Sequence, residues 1–151
     1  MKILVSACLL GSNVRWNGAN KRCEIIMNWA DEIGAEIVPV CPENDLYGTP
    51  RGPIRLIQID EKIEYNLGGR DVYEELKLRV DSIYEENKDA VGFIGIYGSP
   101  TCAISVGVKN KGGFTRGLMH TNSPVPTTEI AHFRNENSRN AFLKKIINKD
   151  R

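Results

Sequence analysis

Residues 2–6 and 36–40 read as two short apolar strands flanking one amphipathic helix, and this alternation constrains the fold more than any other feature of the chain. Lys2 to Ser6 is a β-branched, apolar run ended by small residues and Gly11, the pattern of a strand buried on both faces. Gly11 to Asn20 is polar and turn-rich, with Asn17-Gly18 as a strong turn signal. A helix is predicted from about Asn20, a good N-cap, with Ile25, Ile26, Trp29, Ala30 and Ile33 at helical spacing and Gly34 ready to end it. Glu36 to Val40 is the second strand, stopped by Cys41-Pro42. A strand–helix–strand unit in one sheet requires parallel strands and a right-handed crossover.

The pattern continues along the chain. Asn44 to Pro53 carries glycines and prolines around Arg51 and is predicted to be a rigid loop. Ile54 to Leu67 alternates around Asp60-Glu61-Lys62 as a β-hairpin does. Asp71-x-x-Glu74 resembles a capping box for a helix lined by Val72, Leu76, Val80 and Ile83. Val91 to Ile96 is a third core strand, running into Gly98-Ser99-Pro100-Thr101-Cys102. Ile104 to Val108 reads as a short strand, and Lys109 to Gly117 as a flexible, basic, glycine-rich segment. Val125 to Ile130 suits a final parallel strand, and Asn135 to Asn148 a closing amphipathic helix. The expected fold is α/β, a three-layer Rossmann-like parallel sheet with an inserted β-hairpin, with residues 1–151 forming a single domain.

Composition excludes several function classes. The net charge of +1 gives no global reason to wrap a nucleic-acid backbone or lie on an anionic membrane. The apolar stretch at the start is too short for a secretory signal or a membrane span, so the chain is expected to be cytoplasmic. In that compartment its four cysteines argue for metal binding, catalysis or burial rather than disulfides.

Cys8, Cys41 and Cys102 each follow a predicted strand by one to six residues. In a parallel sheet, ligands bind in the crevice outside the carboxyl ends of the strands, so the fold would bring these three together although no pair is close in sequence. Taken singly, each is also explained by simple burial. Cys23 lies three residues before Ile26 on the same helical face and is assigned to the core. All-thiolate ligation suits zinc or an iron–sulfur cluster. A closed zinc site needs a fourth ligand that neither His120 nor His132 is placed to supply. Three thiolates suit a 4Fe-4S cubane with one iron left open as a Lewis acid.

Polar residues surround these positions. Glu43, two after Cys41, has the placement of a general base, or of a solvated loop carboxylate. Ser99 can donate a hydrogen bond to an attacking or leaving group, or simply stabilise its turn. Arg15 and Arg51 sit in loops at the same edge and can hold a phosphate or an anionic substrate.

Ser6-Ala7-Cys8-Leu9-Leu10-Gly11, Arg15-Trp16-Asn17-Gly18, Cys41-Pro42-Glu43, Pro50-Arg51, Gly69-Arg70-Asp71-Val72 and Ser99-Pro100-Thr101-Cys102 resemble, in order and spacing, the thiouracil desulfidase (TudS-like) family. The resemblance covers essentially the whole chain. It implies an α/β protein with a 4Fe-4S cluster on Cys8, Cys41 and Cys102, and a catalytic pair of Glu43 and Ser99. It also implies removal of sulfur from thiouracil or a thiolated uridine nucleotide, releasing sulfide. Val14 stands where many members have a further cysteine, Trp16-Asn17 replaces Tyr-Asp, and Ala103 replaces a glycine. These departures spare the ligands and leave the thio-substrate open. A sulfide carrier, delivering hydrosulfide to a tRNA or a tRNA-modifying protein, would need the same three cysteines but not Glu43.

Overall fold

The computed structural model describes residues 1–104, 106–110, 113–121 and 123–150. A four-stranded parallel sheet forms its centre, in the order β2 (Glu36–Val40), β1 (Lys2–Ser6), β6 (Ala90–Gly95), β9 (Thr127–Glu129). The inner strands are the apolar runs: Ile3, Leu4 and Val5 are fully buried and β6 is buried along its length. β2 is half-exposed and carries Pro39, as an edge strand can.

Side-chain alternation along β6 defines the two outer layers. A Cβ on Gly92 would meet Ile146 and Phe142 of α6 (Glu136–Asp150). Phe93, one residue on, stacks edge-on against His120 of α4 (Leu118–Thr121). On the α6 side, Trp29 of α1 (Glu24–Ile33) packs its ring against Phe133 of α5 (Ile130–Phe133) and Phe142 of α6. On the other side, Tyr84 of α3 (Tyr73–Glu86) donates its hydroxyl to the Met119 carbonyl of α4. The expected three-layer α/β arrangement is therefore present. Its insertion is an antiparallel sheet of β3 (Arg55–Ile59), β4 (Lys62–Leu67) and β5 (Arg70–Asp71), lying between β2 and α3 in sequence.

Several local expectations are corrected. The first helix starts at Glu24, because Asn20 accepts the Arg22 amide in a turn of its own; Cys23 is buried at the N-cap, and Ile25 points outward. The predicted rigid loop begins with a helix, α2 (Pro42–Tyr47), and then turns through a cis Thr49–Pro50 bond. Asp71 accepts the amides of Tyr73 and Tyr65 rather than forming a capping box at the N-cap, which is Val72. A strand does form near 104–108, as β7 (Val106–Asn110), paired with β8 (Gly113–Thr115) inside the segment expected to be flexible; residues 105, 111 and 112 lie outside the described residues. Among the described residues no helix is long and apolar enough to cross a membrane.

Candidate active site

The parallel register aligns the carboxyl ends of three adjacent strands, with Ser6 opposite Val40 and Val5 opposite Ile94. One cysteine follows each. Cys8 lies in the tight helical turn Ala7–Leu10 directly after β1, Cys41 is the residue between β2 and α2, and Cys102 closes the turn after β6. All three line one cavity with about 670 Å3 of empty space including its open mouth, together with Glu43, Ser99, Arg15 and Arg51. Neither histidine lines it. Every residue singled out for the site thus meets in one place.

Burial sets the state of the thiols. It raises Cys8 above its ordinary value, against the opposing pull of the Arg15 guanidinium beside it. It pushes Cys41 up to about 11, although the Asn44 amide donates to the sulfur at 3.4 Å. Cys102, the most deeply set, is pushed up to about 12, again by burial first. Three soft sulfur donors that hold their protons at neutral pH become ligands only when a strongly cationic centre displaces those protons. Among the described residues, no three His, Cys, Asp or Glu side chains gather closely enough for a single ion. Three thiols around a shared space, those of Cys8, Cys41 and Cys102, have the donor chemistry to hold an iron–sulfur cluster.

Glu43 is the second residue of α2 and is only 7% exposed. Proline at the first helical position, as Pro42 is here, is the usual start of such a helix. The Glu43 Oε2 atom accepts the Thr101 hydroxyl at 2.8 Å and the Ser99 hydroxyl at 3.4 Å, while its Oε1 lies 3.7 Å from Arg51 Nε. Arg51 is itself buried, and its Nη1 donates to the carbonyls of Val14 (2.9 Å) and Gly48 (3.1 Å) and to the Thr49 hydroxyl (3.1 Å). Its guanidinium braces Glu43 and the Val14–Trp16 loop. Arg15, by contrast, is half-exposed at the mouth, beside the 45% exposed Trp16 indole.

Ser99 stabilises its own turn by accepting the amides of Thr101 (3.3 Å) and Cys102 (3.1 Å). Its hydroxyl also faces the carboxylate, so the two readings of this residue are compatible. Sequence reasoning missed Thr101, the hydroxyl closest to Glu43, and His120, whose Nε2 lies 2.6 Å from the Cys102 carbonyl. Adjacency to a candidate ligand was the only signal for Thr101, and for His120 there was none.

A solved structure described as a 4Fe-4S-dependent thiouracil desulfidase, TudS, matches 95% of this chain and 98% of its own with a TM-score of 0.71. At 22% identity that match establishes a common fold. A search of curated proteins found none that matches the chain. The model of the family described as 2-thiouracil desulfurase matches residues 3–130, which is most of the chain and includes all three strand-end cysteines, Glu43 and Ser99, and the chain belongs to that family.

Proposed function

We propose that this protein is a desulfidase that exchanges the thiocarbonyl sulfur of a thiolated pyrimidine base or nucleotide for oxygen and releases sulfide. In this reading a 4Fe-4S cluster is held by Cys8, Cys41 and Cys102. The observation that carries it is the shared cavity: the thiols of Cys8, Cys41 and Cys102, from adjacent strand ends, line one space together with the buried Glu43 carboxylate. Membership of the 2-thiouracil desulfurase family supports the same chemistry.

Held by Cys8, Cys41 and Cys102, a 4Fe-4S cluster would supply Lewis-acid chemistry suited to a soft thiocarbonyl sulfur. The remaining work belongs to side chains. Glu43, kept in place by Arg51 and two hydroxyls, takes a proton from water so that its oxygen can add to the thiocarbonyl carbon. Ser99 offers its hydroxyl on the same side. Trp16 presents an exposed aromatic face at the mouth, suited to stacking on a planar base, and Arg15 beside it suits an anionic group. Water and C=S become C=O and hydrogen sulfide, with no net oxidation or reduction. A pure sulfide carrier gives no reason for a braced, buried carboxylate next to the thiols.

The test is anaerobic. The purified, reconstituted protein is assayed for iron and labile sulfide, then mixed with 2-thiouracil and thiouridine monophosphate while thiocarbonyl absorption and released sulfide are followed. The expected result is turnover by the wild type, and in Glu43→Gln a loss of roughly 10²–10⁴-fold in kcat at unchanged iron content. Absence of iron after reconstitution, or Glu43→Gln turning over like the wild type, overturns the proposal.

A further inference from the structure

Thr101 is wholly buried, yet its side chain is polar. Its Oγ1 lies 2.8 Å from Glu43 Oε2, 3.1 Å from Ser99 Oγ and 3.6 Å from Cys102 Sγ. Hydrogen counting gives these contacts a direction. The Thr101 hydroxyl donates to Glu43 Oε2, so its single proton points at the carboxylate. The Ser99 oxygen already accepts two backbone amides, which leaves its own proton free to donate. It has two acceptors in reach, and Thr101 at 3.1 Å is nearer than Glu43 at 3.4 Å. The three groups form a directed chain from Ser99 through Thr101 to Glu43.

The backbone beneath this hydroxyl is fixed. The Thr101 carbonyl accepts the Met119 amide at 2.8 Å, and a Cβ on Gly117 would come within 2.7 Å of the same oxygen. Burying a hydroxyl at such a position is costly unless its bonds are made. Packing alone would be served equally well by valine, which has the same shape.

We propose that Thr101 is a positioning residue that couples Glu43 to Ser99: its buried hydroxyl donates to the carboxylate on one side and accepts the Ser99 hydroxyl on the other. The inference rests on the desulfidase reading above and adds to it the side chain that fixes where the Glu43 carboxylate stands.

The experiment uses the reconstituted full chain with Thr101→Val, Thr101→Ser, Ser99→Ala and the double variant Ser99→Ala/Thr101→Val, with Glu43→Gln alongside. Iron and labile sulfide per chain, and the thermal midpoint of the cluster-free protein, are read together with kcat and KM for 2-thiouracil. In Thr101→Val we expect wild-type iron content, a fall of roughly 10–100-fold in kcat and a KM within about threefold. Thr101→Ser should restore kcat to within about threefold. The double variant should be no slower than Ser99→Ala, because the two hydroxyls act in one chain. Wild-type kcat in Thr101→Val beside an inactive Glu43→Gln would overturn this inference and leave the desulfidase reading standing. Equal loss of iron in Thr101→Val and Thr101→Ser, or fully additive effects in the double variant, would also overturn it. Absence of sulfide release from the loaded wild type would overturn the desulfidase reading and this inference with it.

Discussion

The wall that carries Ser99, Thr101 and Cys102 and the wall that carries Cys8, Arg15 and Trp16 close the same cavity by different means. On the first, the carbonyls are claimed in succession by other parts of the fold: Thr101 by the Met119 amide at 2.8 Å, Cys102 by His120 at 2.6 Å, Ala103 by the Gly117 amide at 2.9 Å. Strand β6 and helix α4 press against it. On the second, the bonds of the Ser12–Ala19 loop run mostly within the loop, from Val14 to Ser12, Arg15 to Ala19 and Gly18 to Arg15. Arg51 ties it down, through its amide to the Trp16 carbonyl and its Nη1 to the Val14 carbonyl. Ser99 and Thr101, the hydroxyls that hold Glu43, sit on the core-backed wall. Arg15 and Trp16, which meet an incoming solute, sit on the part of the other wall that can adjust, above the buried Cys8.

One glycine on each wall provides the sharpest way to break this contrast. A Cβ at Gly95 would stand 1.9 Å from the Cys102 carbonyl oxygen and 3.0 Å from its carbon. No side-chain rotation relieves a clash with backbone, so the Cys102 turn must move. Gly95→Ala should cost more than about 4 kcal/mol, the range reached by strained core changes, and should abolish iron loading. Gly18 has φ +80 but open space around it, with the Thr49 methyl 4.0 Å away. Gly18→Ala should cost only about 1–2 kcal/mol of backbone strain and leave iron content intact. Denaturant midpoints and iron assays on the two variants decide the matter. Equal losses would mean that the walls are equally stiff.

The range of each interaction decides whether the sequence alone shows it. Strands β1, β2 and β6 are local apolar runs, and their carboxyl ends follow from chain direction, so the position of each cysteine after a strand was visible in the sequence. That the three strands are neighbours, in the order β2-β1-β6, depends on long-range pairing that no local pattern encodes. Helix α1 starts later than the Asn20 signal predicts because Asn20 has a nearer amide to satisfy at Arg22. Helix α2 had its own signals, Pro42 at the first position with Glu43 and Asp45 in the first turn, which the density of later glycines and prolines concealed. The inward commitment of Arg51 and the closeness of Gly95 to Cys102 exist only once distant segments have met.

His120 allows a finer test of the core-backed wall. Because a carbonyl only accepts, its Nε2 carries the proton toward Cys102, and its Nδ1 is buried without a partner among the described residues. Burial pulls its pKa down to about 4, assisted by the charge of Arg116 and opposed by the Cys102 hydrogen bond. The folded chain therefore keeps this ring neutral at pH values where the unfolded chain protonates it, from about 6.5 downward. Stability present above pH 6.5 should drain away as the pH falls toward 4, by on the order of 2–3 kcal/mol. Denaturant midpoints of the cluster-free chain measured from pH 7 to pH 4.5 should fall more steeply in the wild type than in His120→Gln, which keeps a donor and does not titrate. Parallel curves would show that the ring does not hold this wall in its neutral form.

The smallest effect belongs to the adjustable wall. Trp16 makes its contribution from the cavity mouth with its indole 45% exposed, whereas Trp29 is buried against Phe133 and Phe142. Removing the exposed ring takes little from the core. Stacking an aromatic side chain on a base is worth about 1–3 kcal/mol, so Trp16→Ala should raise KM for 2-thiouracil by roughly tenfold or more with kcat and iron content unchanged. Trp16→Phe should recover most of that loss, because a benzene ring still offers a face. Fluorescence gives the same answer without turnover: the solvent-exposed, red-shifted emission of Trp16 should be quenched by uracil, while the buried Trp29 stays bright. If Trp16→Ala instead lowers kcat or sheds iron, the mouth is part of the rigid frame, and the division between a wall for chemistry and a wall for admission fails.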